Sequence, residues 1–177
     1  MEHTDQNRIL DWDGFPGRWK ITQSTEDTDG EYLEMHFDIE GTTGDSPPVH
    51  THPHATESYE VLSGVLEVNV EGEWKQVPAG EKHSVPPGTP HTFRNREPVE
   101  LINVHQPALE HECFFRRFHK LVTVKGVRLP PKKFRSYILM GMLFADHEQE
   151  ILSVKPPQFI MRTLARAGKI LGYKLPD

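Results

Sequence analysis

The sequence predicts an all-β domain followed by a helical C-terminal extension, on three observations. Leu33, Met35, Phe37 and Ile39 alternate with Glu34, His36, Asp38 and Glu40, the period-two pattern of a half-buried strand. Tyr59 to Val70 is a long, Val-rich β signal broken at Gly64, where a turn or bulge fits. After Pro107 the period changes, and Leu109, Cys113, Phe114, Phe118, Leu121 and Val122 recur at helical spacing.

Residues 1–17 read as a polar arm with Trp12 and Phe15 as aromatic anchors and Gly14 as a turn former. Arg18 to Ser24 is a short strand, and Glu26 to Gly30 a turn before the alternating strand. His36 falls on that strand's polar face, which makes it a rim histidine. Residues 41–48 form a loop leading to His50. Glu71-Gly72-Glu73 is a hairpin turn answered by Trp74 to Val77, and Pro78-Ala79-Gly80 turns into Lys82 to Val85. His91 to Arg94 and Val99 to Gln106 are the last strands. Beyond them, Glu110 and Glu112 early, with Arg116, Arg117 and Lys120 late, suit a helix dipole. Gly126 and Pro130-Pro131 end that helix. A second helix runs from about Lys132 to His147, and a third from Pro157, which opens it, to Leu171, with Gly172 closing it.

A chain of 177 residues can bury a core without disulfides or a structural metal. The lone Cys113, followed by the apolar Phe114 and Phe115, reads as a buried structural thiol. The N-terminus has no basic and then apolar signal pattern, and no apolar run is long enough to span a bilayer, so a cytoplasmic protein is expected. Residues 1–106 carry 7 basic and 20 acidic side chains (net −13) and residues 107–177 carry 13 and 6 (net +7), which together give the formal −6. The basic residues are scattered instead of forming a stripe. The basic half therefore reads as the complement of the acidic half, and neither nucleic acid nor membrane is an expected partner. This asymmetry, with more apolar helix surface than one small domain covers, predicts a homodimer.

The chemistry concentrates between His50 and Asn95. His50 and His52 are two apart, so in an extended segment both rings lean to one face. Glu57 follows on the next strand, and His91 arrives behind the rigid Pro86-Pro87-Gly88-Thr89-Pro90 turn. Three imidazoles and a carboxylate suit one divalent transition ion (Fe, Mn, Ni, Cu, Co or Zn) better than Ca or Mg. Surface histidines in a proline-rich loop would leave Glu57 and His91 unexplained. His54 lies outside the set, as a solvated or supporting histidine. Parity places Tyr59, Val61 and Phe93 on the same side as the ligands, as an apolar wall or as ordinary core. His105 faces inward only if Leu101 and Asn103 do, which the sequence leaves open.

Gly44, His50, His52, Glu57 and Gly64 resemble the G-x5-H-x-H-x3,4-E-x6-G motif of the cupin superfamily, and Gly80, Pro86, Gly88, His91 and Asn95 resemble its G-x5-P-x-G-x2-H-x3-N motif. The resemblance implies a single jelly-roll β-barrel over residues 18–106 with the metal in its wider end, and residues 107–177 as helices packing on the barrel or at a dimer contact. It is similar to small conserved-barrel cupins of the quercetin-dioxygenase type. That implies a metal-dependent oxygenase acting on a small aromatic or enol/diketone substrate, with Glu57 as ligand and catalytic base. The alternatives are a binding barrel with a structural metal, or a metal-dependent isomerase or decarboxylase. A basic role would require the Glu57 pKa to be raised toward neutrality.

Overall fold

The computed structural model describes residues 7–12, 17–41 and 47–177; Gly14 and Phe15 of the arm and Gly44 of the first motif lie outside them. The strands run β1 (Ile9–Asp11), β2 (Arg18–Gln23), β3 (Leu33–Ile39), β4 (His50–Thr51), β5 (Thr56–Ser63), β6 (Val65–Val70), β7 (Glu73–Pro78), β8 (Lys82–Val85), β9 (His91–Arg94), β10 (Val99–Gln106) and β11 (Leu152–Ser153). The helices are α1 (His111–Thr123), α2 (Phe134–Asp146) and α3 (Gln158–Ile170). Two sheets form, one ordered β1-β2-β3-β10-β5-β8 and the other β11-β4-β9-β6-β7, with antiparallel pairing throughout. This is the expected β-barrel architecture with a helical C-terminal extension.

Alternation builds the barrel interior. Trp19 and Ile21 of β2, Leu33, Met35, Phe37 and Ile39 of β3, Tyr59 and Val61 of β5, Leu66 and Val68 of β6 and Leu101 of β10 are all buried in one cluster. Gly64 makes the corner between β5 and β6. Its φ of +78° is left-handed, and a Cβ there would stand 2.4 Å from the Pro98 carbonyl oxygen, so only glycine fits.

A second apolar cluster lies among the helices, where Leu121, Ile138, Leu139 and Leu143 are buried with Met161 and Ala165. Gly168 lets α3 approach α2 closely, because a Cβ there would meet Ile138 at 2.7 Å. Phe115 and Phe118 of α1 touch both clusters and join the two layers. Trp12 packs edge-on to Trp19, ring centres 4.3 Å apart, as an anchor should. Cys113 departs from expectation: it is half-buried, because the core-facing stripe of α1 runs through Phe114 and Leu121. No helix among the described residues is long and apolar enough to cross a membrane.

Candidate metal centre

Two short strands bring the histidines together. His50 on β4 and His91 on β9 are direct cross-strand partners, and their rings lie 4.4 Å apart. His52 follows His50 at extended spacing, with ring centres 5.1 Å apart. Beyond the turn at Pro53 and His54, β5 delivers Glu57 inward. The Pro86–Pro90 turn is tied to the ligand segment, since the Gly88 amide donates to the His52 carbonyl at 2.8 Å. Asn95 closes the second motif by donating from Nδ2 to the Gly41 and Glu97 carbonyls.

The carboxylate sits at the centre of the rings. Glu57 Oε2 is 2.6 Å from His91 Nε2, 3.2 Å from His52 Nε2 and 4.0 Å from His50 Nε2. Each ring's other nitrogen faces a backbone carbonyl: His50 Nδ1 to Pro48 at 2.9 Å, His52 Nδ1 to Glu150 at 2.7 Å and His91 Nδ1 to Thr89 at 2.8 Å. A carbonyl only accepts, so each Nδ1 donates its proton there and each ring turns its Nε2 toward Glu57. An ionised carboxylate also only accepts, so at 2.6 Å His91 Nε2 donates to Glu57 in the metal-free protein, and that proton would leave when an ion binds. Fixing the tautomer through the far nitrogen is how metal-binding histidines are held.

These residues fit a divalent ion. The four donor atoms lie within 4.8 Å of one another and all four residues are buried. Among the described residues His52 Nε2, which is buried, finds no hydrogen-bond partner despite its 3.2 Å approach to the carboxylate, as a nitrogen suited to a metal ion would be.

The electrostatics agree. Burial alone would raise the Glu57 carboxyl, but His105, His52 and His91 outweigh it and hold the group well below its usual range. The upward shift expected for a base is therefore not found, because four imidazoles crowd the carboxylate; Glu57 stays ionised at neutral pH, as a ligand must. Burial, then His91 and His52, brings His50 down to about 3. His91 shifts upward: burial opposes its charge, but the bond to Glu57 and the Thr89 carbonyl prevail.

Tyr59 and Val61 are fully buried and Phe93 is 6% exposed; the Tyr59 and Phe93 rings lie 5.6 Å apart. Phe93 also borders a cleft of about 360 Å³ with Pro48, Val49 and Trp74. His54 is on the surface, 3.2 Å from Gln149 Oε1, and His36 pairs with Glu100 at the rim at 2.8 Å. His105 turns inward beside Leu101 and Asn103, all three fully buried. Asn103 Nδ2 donates to Glu57 Oε1 at 2.8 Å, and His105 Nε2 stands 3.5 Å from the same oxygen. Sequence reasoning missed Asn103 as a partner of Glu57 and missed His111 altogether. His111 opens α1 over the site and lies 3.1 Å from His52 Nδ1. The parity of β10 was the only signal for Asn103, and none existed for His111.

Residues 37–105 match a family described as the cupin domain. Quercetin 2,3-dioxygenase of Bacillus subtilis (strain 168) is 38% identical over 65 residues, 37% of this chain and 19% of that protein, so the match spans less than a fifth of that relative's length. Among solved structures, KdgF from Halomonas sp. superposes with a TM-score of 0.50 at 20% identity, over 61% of this chain and 94% of that one. An RmlC-like cupin from Shewanella frigidimarina NCIMB 400 gives a TM-score of 0.48 at 24% identity, over 59% of this chain and 86% of that one. The likeness to KdgF speaks to the fold alone, whereas the domain match covers every residue of both histidine motifs. Residues 37–105 of this chain are a cupin domain.

Proposed function

We propose that this cupin is a metal-dependent oxygenase acting on a small hydroxylated aromatic or enol/diketone substrate. His50, His52, Glu57 and His91 would hold one divalent ion of Fe, Mn, Ni, Cu, Co or Zn. The observation that carries this reading is the set of three Nε2 atoms, each ring anchored through Nδ1 on a backbone carbonyl, around a buried ionised carboxylate. The local likeness to quercetin 2,3-dioxygenase supports the reaction class.

When bound, such an ion would supply Lewis acidity, open coordination positions and, if redox-active, access to dioxygen. The chain's own residues do the rest. Asn103 pins Glu57 Oε1, which leaves Oε2 toward the histidines; with its pKa held low Glu57 stays ionised, so Oε2 would ligate the ion and orient a substrate hydroxyl by accepting a hydrogen bond from it. Tyr59, Val61 and Phe93 form an apolar wall that excludes water. Fe-, Ni-, Mn- or Cu-loaded protein should consume O₂ with a substrate of this class. Glu57→Gln should cut turnover by at least about tenfold, as loss of a hydrogen bond to a charged group (about 1.5–3 kcal/mol) implies, and by more than it cuts metal content. An oxygen electrode with parallel metal analysis decides it, and no consumption above the Glu57→Gln background in any metal form would overturn the reading.

One observation favours a second reading, a binding barrel with a structural ion. His111 and the Glu150 carbonyl lie against His52, and all four candidate ligands are buried, His91 only 1% exposed. Binding of a small ligand without O₂ consumption would select it. We also propose a homodimer, since Phe134, Phe159, Ile170 and Leu171 are more than half exposed on the helical extension. Light scattering at micromolar concentration and moderate salt should give twice 20.3 kDa, and a monomer mass would refute the dimer.

A further inference from the structure

Two histidines next to the first centre take no part in the function just described. His105 lies directly across from Glu57 in the β5–β10 register, is fully buried, and has no hydrogen-bond partner for either ring nitrogen among the described residues. A buried polar group left unmet is costly, so an orphaned imidazole here requires a reason. Its ring faces those of His111 and His52, with centres at 4.4 and 4.8 Å. Donor atoms of the three residues lie within 4.8 Å of one another, and all three residues are buried.

His111 is prepared as the first three ligands are. Its Nδ1 is 2.9 Å from the Ala108 carbonyl, where it donates, leaving the Nε2 lone pair 3.1 Å from His52 Nδ1 and 3.1 Å from the Glu150 carbonyl oxygen. Tetrahedral coordination with bonds of about 2.0–2.1 Å sets donors about 3.3 Å apart. His52 faces two ways, with Nε2 toward Glu57 and Nδ1 toward His111.

We propose that His52, His105 and His111 form a second metal site beside the first, sharing the His52 ring, with the Glu150 carbonyl as a fourth donor. This rests on the first centre as read above. The second ion would take the place of the His52 Nδ1 proton, which leaves to solvent, so that one imidazolate joins the two ions. A set of three imidazoles without a carboxylate selects Cu or Zn over harder cations.

Metal-free wild-type protein is titrated with Cu(II), and separately with Zn(II), at neutral pH, desalted and counted by elemental analysis. About two equivalents per chain are expected. Cu(II) ions joined through an imidazolate couple, so the integrated electron paramagnetic resonance signal should fall well below the copper present. His105→Leu and His111→Leu should each bind about one equivalent with full signal, while His54→Ala should keep two. Saturation of the wild type at one equivalent overturns the second site and leaves the first intact, whereas no binding at all sinks both. Two equivalents retained in both Leu variants, or two uncoupled copper signals in the wild type, would also overturn it. The wild-type stoichiometry and signal decide the matter even if a variant fails to fold.

Discussion

Replacing His91 by Ala is expected to lower the affinity for a divalent ion by at least about 100-fold, the upper range seen when only a supporting group of a metal site is lost. His91 is both the nearest donor to Glu57, at 2.6 Å, and the cross-strand partner of His50, so its removal takes away one ligand and loosens two others. A factor of 100 corresponds to about 2.7 kcal/mol. The fold should survive, because neither apolar cluster depends on His91 and Asn103 still holds the Glu57 carboxylate. Far-ultraviolet circular dichroism should match the wild type while isothermal titration with Zn(II) shows the loss. Full stoichiometric retention at unchanged affinity in His91→Ala would remove His91 from the centre.

The legibility of this site follows from how local each signal is. His50, His52 and Glu57 fall within eight residues, and His91 is fixed by the turn just before it, so spacing alone could group them. Tyr59 and Val61 follow Glu57 by strand parity and are buried as that parity requires. His105 was undecided for a physical reason: Leu101, Asn103 and His105 alternate with Ile102, Val104 and Gln106, so apolar and polar residues fall on both faces of β10 and the pattern alone does not choose the inner one. His111 reaches His52 across 59 residues of sequence, through a chain reversal at Leu109 with φ +44°, and nothing in a helical pattern foretells which barrel end its first residue will cover. The two-residue β11, which pairs with β4 and brings the Glu150 carbonyl to His52, carries no propensity signal at that length. The helices were legible to within two residues at either end, since α1, α2 and α3 are each amphipathic or apolar over 13 residues.

Acid should destabilise the metal-free protein steeply, and the sign follows from the buried histidines. Burial, then neighbouring rings, brings His50 to about 3, and burial, then His52, brings His111 to about 4; burial and His111 hold His105 well below the usual range as well. Below the ordinary histidine pKa of about 6.5 the unfolded chain binds these protons while the folded chain does not, so stability falls as pH falls. Each such group contributes about 1.4 kcal/mol per pH unit, which for His50 and His111 together is on the order of 5 kcal/mol between pH 6.5 and 4.5. His91, whose pKa is raised, works the other way over its own window near and above 6.5, and Glu57, whose pKa is depressed, adds to the loss once pH drops below its unfolded value. Since domains are commonly stable by only about 5–15 kcal/mol, the melting temperature of metal-free protein should collapse across this range. His111→Phe, which removes one of the groups, should flatten the slope by about 1.4 kcal/mol per pH unit wherever it remains folded. Zn(II) should raise the melting temperature at pH 7.5 and raise it by less near pH 5, because a proton held on His91, whose pKa is raised, competes with the ion for its Nε2. A melting temperature of metal-free protein that stays level from pH 7 to 4.5 would show that these rings are not held neutral in the folded chain.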